Sequence, residues 1–147
     1  MTDAEVAKLH RDIDEAVWRP FKAAFESGDG VSLNNLYSDE VLRVTPSGLD
    51  TSNQFKTQNL AARSEGTVQL SFWLDSRHTT ATTSYEVGIF RITRYSDTTP
   101  AEYHYGQFHI VLKQQDNLWK ITQDWDTDRV LGRKLSAEDF EQHAPHF

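Results

Sequence analysis

Residues Tyr103 to Asp128 read YHYGQFHIVLKQQDNLWKITQDWDTD, and this stretch decides the fold. Two runs rich in β-branched and aromatic residues flank Asp116-Asn117, a pair that tolerates the positive φ of a tight hairpin turn. With those two residues as the loop, Phe108 faces Trp125, Ile110 faces Gln123, Leu112 faces Ile121 and Gln114 faces Trp119. On the other face Gln107 meets Asp126, His109 meets Asp124, Val111 meets Thr122 and Lys113 meets Lys120. The first face is an apolar slab and the second holds nearly all the titratable groups. A slip of one residue would exchange the two, so burial of the slab fixes the register.

Outward from the hairpin, the preceding segments also read as strands. Val68, Leu70, Phe72 and Leu74 alternate strictly with Gln69, Ser71, Trp73 and Asp75, the mark of one buried face. In Tyr85–Tyr95 the apolar phase shifts from Tyr85 and Val87 to Phe90 and Ile92 across Gly88, which predicts a bulge there. The N-terminal part is helical. Thr2 and Glu5 form a capping box, and Val6, Leu9, Ile13, Val17, Phe21 and Phe25 make one apolar stripe. Pro20 lies inside that stripe and predicts a kink, and Gly28-Asp29-Gly30 ends it. A short helix around Ser32–Tyr37 and a short strand Val41–Thr45, stopped by Pro46-Ser47-Gly48, follow. A third helix then runs from Thr51 or Ser52 to about Arg63, closed by Gly66. The sequence after Asp128 holds one short helix, capped by Ser136.

This order predicts an α+β fold in which a curved antiparallel sheet wraps around N-terminal helices to form a cone with a pocket. Residues 1–130 form the domain and 131–147 a C-terminal tail. At 147 residues, with four Trp and eight Phe, there is ample material for one core. The net charge of −7 argues against nucleic-acid binding, which needs a basic face. There is no cysteine, hence no disulfide, thiolate nucleophile or sulfur metal site. His104 and His109 are five apart, on opposite faces of a strand, so no metal is expected, and no pattern calls for a cofactor. The N-terminus lacks a signal peptide's basic and apolar regions, and no apolar run would span a bilayer. The expectation is a cytoplasmic protein without membrane partners. Trp73, Tyr95 and Val111, on the face away from the helices, predict a homodimer through the sheet.

Four segments carry a family resemblance: Gly28-Asp29 with Leu36-Tyr37-Ser38-Asp39; Arg43-Val44-Thr45-Pro46-Ser47-Gly48; Gly106 to Lys113; and Trp119-Lys120-Ile121-Thr122. Their order and spacing resemble the nuclear transport factor 2-like superfamily, also called ketosteroid isomerase-like or SnoaL-like, along nearly the whole chain. Ile89–Tyr95 followed by the hairpin also resembles the association domain of calcium/calmodulin-dependent kinase II. The resemblance implies a cone-shaped fold, often dimeric through its sheet, with a ligand pocket; it does not fix a function.

The ketosteroid isomerases place an aspartate base just before the proline that ends the short first strand. Here that position is Thr45, whose hydroxyl is far too weak a base to take a carbon-bound proton. Where those enzymes carry a tyrosine donor, this chain has Trp18, Phe21 and Phe25. In their place the opposed His109 and Asp124 form the candidate acid/base pair. Trp18, Tyr37, Arg43, Phe55, Arg91 and Asp126 are the candidate ligand-binding residues. Arg91, matched to the kinase association domain, or Arg43 would anchor a ligand carboxylate. Two readings stay open: a cofactor-independent isomerase or dehydratase acting on a small apolar substrate, or a non-catalytic binding or dimerisation module.

Overall fold

A computed structural model of the chain describes residues 1–61 and 66–147. Helix α1 (Asp3–Ile13) starts at the predicted capping box, in which Thr2 and Glu5 satisfy each other's backbone N–H. It passes through a π-helical turn, Asp14–Trp18, into α2 (Arg19–Ser27). The disturbance expected from Pro20 therefore falls one turn earlier. Proline has no N–H and crowds the carbonyl four residues back, and a widened turn before it relieves both. Gly28, with φ 72°, closes α2 in the left-handed conformation that glycine adopts at least cost.

Next come α3 (Gly30–Asn34), β1 (Tyr37–Thr45), β2 (Gly48–Asp50) and α4 (Ser52–Asn59). The short strand expected at Val41–Thr45 is thus longer, and Tyr37 belongs to it rather than to a helix. Helix α4 stops at Asn59, and the expected end near Arg63 lies outside the described residues. Strands β3 (Thr67–Thr79), β4 (Thr83–Tyr95), β5 (Glu102–Gln115) and β6 (Leu118–Thr127) complete a sheet of order β2-β1-β6-β5-β4-β3. The sheet curves around the helices, and the fold is α+β as expected. Strand β1 runs parallel to β6, whereas the other neighbours are antiparallel.

Asp116 and Asn117 adopt φ 51° and 63°, so the hairpin turns where the sequence placed it. From the turn outward the register holds for Gln114↔Trp119, Lys113↔Lys120 and Leu112↔Ile121, and then slips by one residue. Thr122 is the extra residue of a bulge, and its hydroxyl donates to the Val111 carbonyl at 3.1 Å. Beyond it Ile110 faces Asp124, His109 faces Trp125 and Phe108 faces Asp126. The expected pairs His109–Asp124 and Phe108–Trp125 are therefore corrected. Asp124 and Asp126 turn inward, while Trp125 is 46% exposed on the outer face.

The bulge expected at Gly88 is also corrected. β4 pairs with β5 without interruption, and the slip in this region belongs to β3, where Asp75 is the extra residue. Gly88 instead makes room: a Cβ there would sit 2.3 Å from the Phe108 ring and 2.6 Å from the Trp73 carbonyl oxygen. The apolar phase of β4 shifts because both its faces are covered. On the outer face Trp73 and Ile89 pack against Phe140 of α5 (Ala137–Phe140), and Trp73 Nε1 donates to the Phe140 carbonyl at 2.8 Å.

The C-terminal residues pass around the open edge of β3. Its backbone there is bonded in turn to the Glu26 carboxylate and Lys22 ammonium at Leu70, to His146 and Phe147 at Phe72, and to His146 Nδ1 at Leu74. The Phe147 ring stacks on Phe72 with centroids 4.9 Å apart. From Leu70 to Leu74 the edge of β3 is thus satisfied by these partners instead of standing open to another strand.

Trp119, 5% exposed, belongs to the main core together with Leu112 and Ile121. Trp119→Ala should destabilise the protein by about 3–5 kcal/mol, the range for truncating a buried aromatic. A urea-denaturation loss below about 1 kcal/mol would contradict this placement.

Candidate functional site

The cone holds a cavity of about 280 Å³ whose wall is mostly aromatic and aliphatic. Trp18, Phe21 and Phe25 come from the π turn and α2, Phe55 from α4, and Phe72, Phe90, Phe108 and Ile110 from the inner face of the sheet. The helical stripe that reads as core in the sequence thus serves as cavity wall as well. Trp18 is fixed from behind: its Nε1 donates to Glu86 Oε2 at 2.6 Å, and Arg77 Nε donates to Glu86 Oε1 at 2.7 Å. Burial raises the Glu86 pKa against the opposing pull of Arg77.

One polar cluster interrupts this wall. Tyr37 Oη donates to Asp124 Oδ2 at 2.9 Å, Arg43 Nη1 pairs with Asp124 Oδ1 at 3.0 Å, and Arg43 Nη2 donates to Asp126 Oδ2 at 3.0 Å. The Thr122 bulge puts both aspartates on the inner face, and the parallel pairing of β1 sets Arg43 directly beside Asp124. The Phe55 ring lies beneath the Arg43 guanidinium at 5.2 Å and meets the Tyr37 ring edge-on at 4.8 Å. Among the described residues, nothing bonds Asp126 Oδ1.

One guanidinium thus serves two largely buried carboxylates. Burial raises the Asp124 pKa, opposed by Arg43 and by the Tyr37 hydrogen bond. Burial and the adjoining Asp124 carboxylate also push the Tyr37 phenol well above its ordinary range. Arg43 is disfavoured as a cation by burial, but its carboxylate partners outweigh that effect and its pKa rises. A proton on Asp124 is therefore less costly than on a solvated aspartate. If Asp124 takes one, it can donate to Tyr37 Oη and free the phenol hydrogen to point at a ligand.

Of the residues singled out from the sequence, Trp18, Tyr37, Arg43, Phe55, Asp124 and Asp126 all line this one cavity. His109 and Arg91 do not. His109 is exposed on the outer face, where its Nε2 lies 2.8 Å from Gln107 Oε1, and it is not opposed to Asp124. Arg91 lies against the tail, with its guanidinium 4.7 Å from the Phe140 ring centre, so it cannot anchor a ligand inside the cone. Thr45, at the isomerase base position, borders a separate polar recess beside β2 together with Arg43 and Gln58. Gln58 and Asn59, which reach the main cavity from α4, carried no sequence signal beyond their position on a helix. Among the described residues, no group of three metal-ligating side chains could hold an ion, and no helix is long and apolar enough to cross a membrane.

No family model matches the chain, and no curated protein sequence does. Solved structures do resemble it. A putative scytalone dehydratase from Novosphingobium aromaticivorans superposes with a TM-score of 0.73 at 15% identity, covering 91% of this chain and 95% of that one. A putative dehydratase from the NTF2-like family, from Streptomyces avermitilis, gives 0.64 at 17% identity over 82% and 95%. A putative calcium/calmodulin-dependent protein kinase type II association domain from Thiobacillus denitrificans gives 0.61 at 15% identity over 77% and 92%. The chain therefore has the nuclear transport factor 2-like, ketosteroid isomerase-like fold.

Proposed function

We propose that the protein is a cofactor-independent acid/base enzyme of the dehydratase or isomerase type, acting on a small, mostly apolar substrate. One observation carries this reading: two carboxylates buried at an apolar cavity share a single guanidinium, and among the described residues one oxygen of Asp126 is left without a partner. Burying charge in this way is costly, and a fold gains little stability from it that apolar residues would not supply. Perturbed titratable groups in a cavity point instead to proton transfer.

The same cluster disfavours capture of a small acid by Arg43, because both of its terminal nitrogens are already bonded to aspartates. In the proposed reaction Asp126 Oδ1 takes a proton from the carbon beside a substrate carbonyl. The electrons of that C–H bond form the new C=C bond as the C–O bond to a β-hydroxyl breaks. Tyr37 passes a proton to the departing oxygen, which leaves as water, and neutral Asp124 resupplies the phenol. Asp126 then returns its proton to Asp124 through solvent. The likeness to putative dehydratases supports the reaction class without fixing the substrate. A cavity of about 280 Å³ has the room of roughly nine waters, which suits a substrate with one ring.

The direct assay uses an aryl β-hydroxy ketone and follows absorbance of the conjugated enone. Turnover above a buffer blank supports the reading. Tight binding of such ketones without turnover would sink it in favour of a binding module.

We also propose a homodimer through the outer face of the sheet. Trp73, one of the residues that suggested it, is covered by the tail, but Tyr85 and Trp125 are 52% and 46% exposed on β4 and β6. Val111, paired with Tyr85, and His109, paired with Trp125, lie between them on β5. Light scattering at micromolar concentration should give twice the 16.9 kDa chain mass, and a monomer mass would overturn the proposal.

A further inference from the structure

A polar space adjoins the aromatic chamber. This second space, of about 230 Å³, shares Phe25, Leu33, Gln58 and Asn59 with it and opens between the end of α2, α4 and the start of β3. Asn59 is held at this junction by donating to Asn34 Oδ1 at 2.9 Å. The two chambers differ in charge. The inner one holds two aspartates against one arginine, while the outer one has Arg94 as its charged wall residue. Arg94 follows Phe90 and Ile92 on the inward-facing positions of β4, so its side chain continues the wall that those two begin. Glu102 faces it across β5 and Val68 across β3, yet among the described residues Arg94 forms no ion pair.

We propose that the outer chamber is an anion subsite, and that the natural ligand has an apolar body seated in the cone and a carboxylate or similar acid that meets Arg94. This deepens the acid/base reading by naming the substrate class. Electrostatics fix the orientation. An acid placed in the inner chamber would face two aspartates whose one guanidinium, Arg43, is already bonded to both, whereas in the outer chamber it meets a guanidinium with no ion-pair partner among the described residues and suited to bidentate bonding. The register sets the length. Asp126 pairs with Phe108, which pairs with Gly88, and Arg94 lies six residues further along β4. At ~3.3 Å per residue along the strands and ~4.8 Å for each of the two strand spacings crossed, that is about 22 Å between backbones, and both side chains reach inward, leaving a span for roughly ten linked atoms.

The test is equilibrium binding, by calorimetry, of decanoate and of decan-1-ol, neither of which can be dehydrated to a conjugated product in this site. Wild type should bind decanoate about tenfold more tightly than the alcohol, the usual scale of a hydrogen bond to a charged group. Arg94→Gln should remove that preference while leaving the alcohol's affinity unchanged. Glu102→Gln, which takes away the facing acid, should tighten decanoate binding by a few-fold and leave the alcohol alone. Equal affinities for the two ligands in wild type, or a preference that survives Arg94→Gln, would overturn the subsite. Because the readout is binding of unreactive molecules, it can succeed where the dehydration assay fails, and the reverse.

Discussion

Replacing Arg43 with methionine will cost the folded protein about 3–5 kcal/mol near neutral pH, the scale observed when one partner of a buried ion pair is removed. The loss goes beyond two hydrogen bonds, because the carboxyl groups of Asp124 and Asp126 would remain largely buried, with side chains 7% and 14% exposed, and would have to give up charge or hold it with no cation between them. The pH dependence follows from the sign of the Asp124 shift. Its folded pKa is raised above the ordinary 3.8, chiefly by burial, so the folded state holds more protons than the unfolded state above that value. Stability from this group is therefore full below the ordinary aspartate range and declines as pH rises through the raised pKa. Without Arg43 the pKa climbs further, and the decline becomes larger and continues to higher pH. Urea denaturation of both proteins at about pH 4.5 and pH 7.5 should thus show the larger deficit at the higher pH. An equal deficit at both, or one below about 1 kcal/mol at the higher, would mean the pair is not buried as described.

The second large effect concerns turnover. Asp126→Asn keeps the size of the side chain and an oxygen that can accept from Arg43 Nη2, but removes the basic lone pair. If Asp126 is the proton acceptor, kcat on the β-hydroxy ketone should fall by ~10²–10⁴, the usual contribution of a general base, while KM stays within a few-fold. A variant that kept kcat within threefold would move the base elsewhere. Asp124→Asn should behave differently, lowering kcat by disabling the Tyr37 donor and also altering stability through the buried pair. Comparing the two variants separates the base from the group that supports the acid.

How far the sequence could be read depends on how local each determinant was. The hairpin turn and the three pairs nearest to it were legible, because Asp116-Asn117 and the apolar residues beside it act within a few residues of one another. The next pairs were not. Alternation alone favoured Trp125 inward and Asp124 outward, and what reverses them is a partner on another strand: Arg43, aligned on β1 with Asp124. Charge compensation by a residue so far away in sequence makes the bulge at Thr122 tolerable, and no window of β6 contains it. The double apolar phase of β4 misled for a similar reason. It looked like a bulge at Gly88, but it records the C-terminal segment lying on the outer face with Phe140 against Trp73 and Ile89. The aromatic helical residues of the pocket were legible, as were Tyr37 and Arg43 from segments that resemble the superfamily, whereas Asp124 and Asp126 were singled out from a register that set them on the wrong face. His109 and Arg91 were misplaced because their facing depended on those two register features.

The covered rim of β3 has a consequence for how the molecule breathes. The amides of Leu70, Phe72 and Leu74 stand on a boundary strand, where solvent deuterium would ordinarily enter first. Their acceptors belong to α2 and to the last two residues: Glu26 for Leu70, Phe147 for Phe72 and His146 for Leu74. Isotope uptake at these three positions therefore tracks detachment of the helix and of the chain's end, independently of whether the sheet itself opens. Leu70 would follow α2, while Phe72 and Leu74 would lose their label-protection together when the final residues lift away.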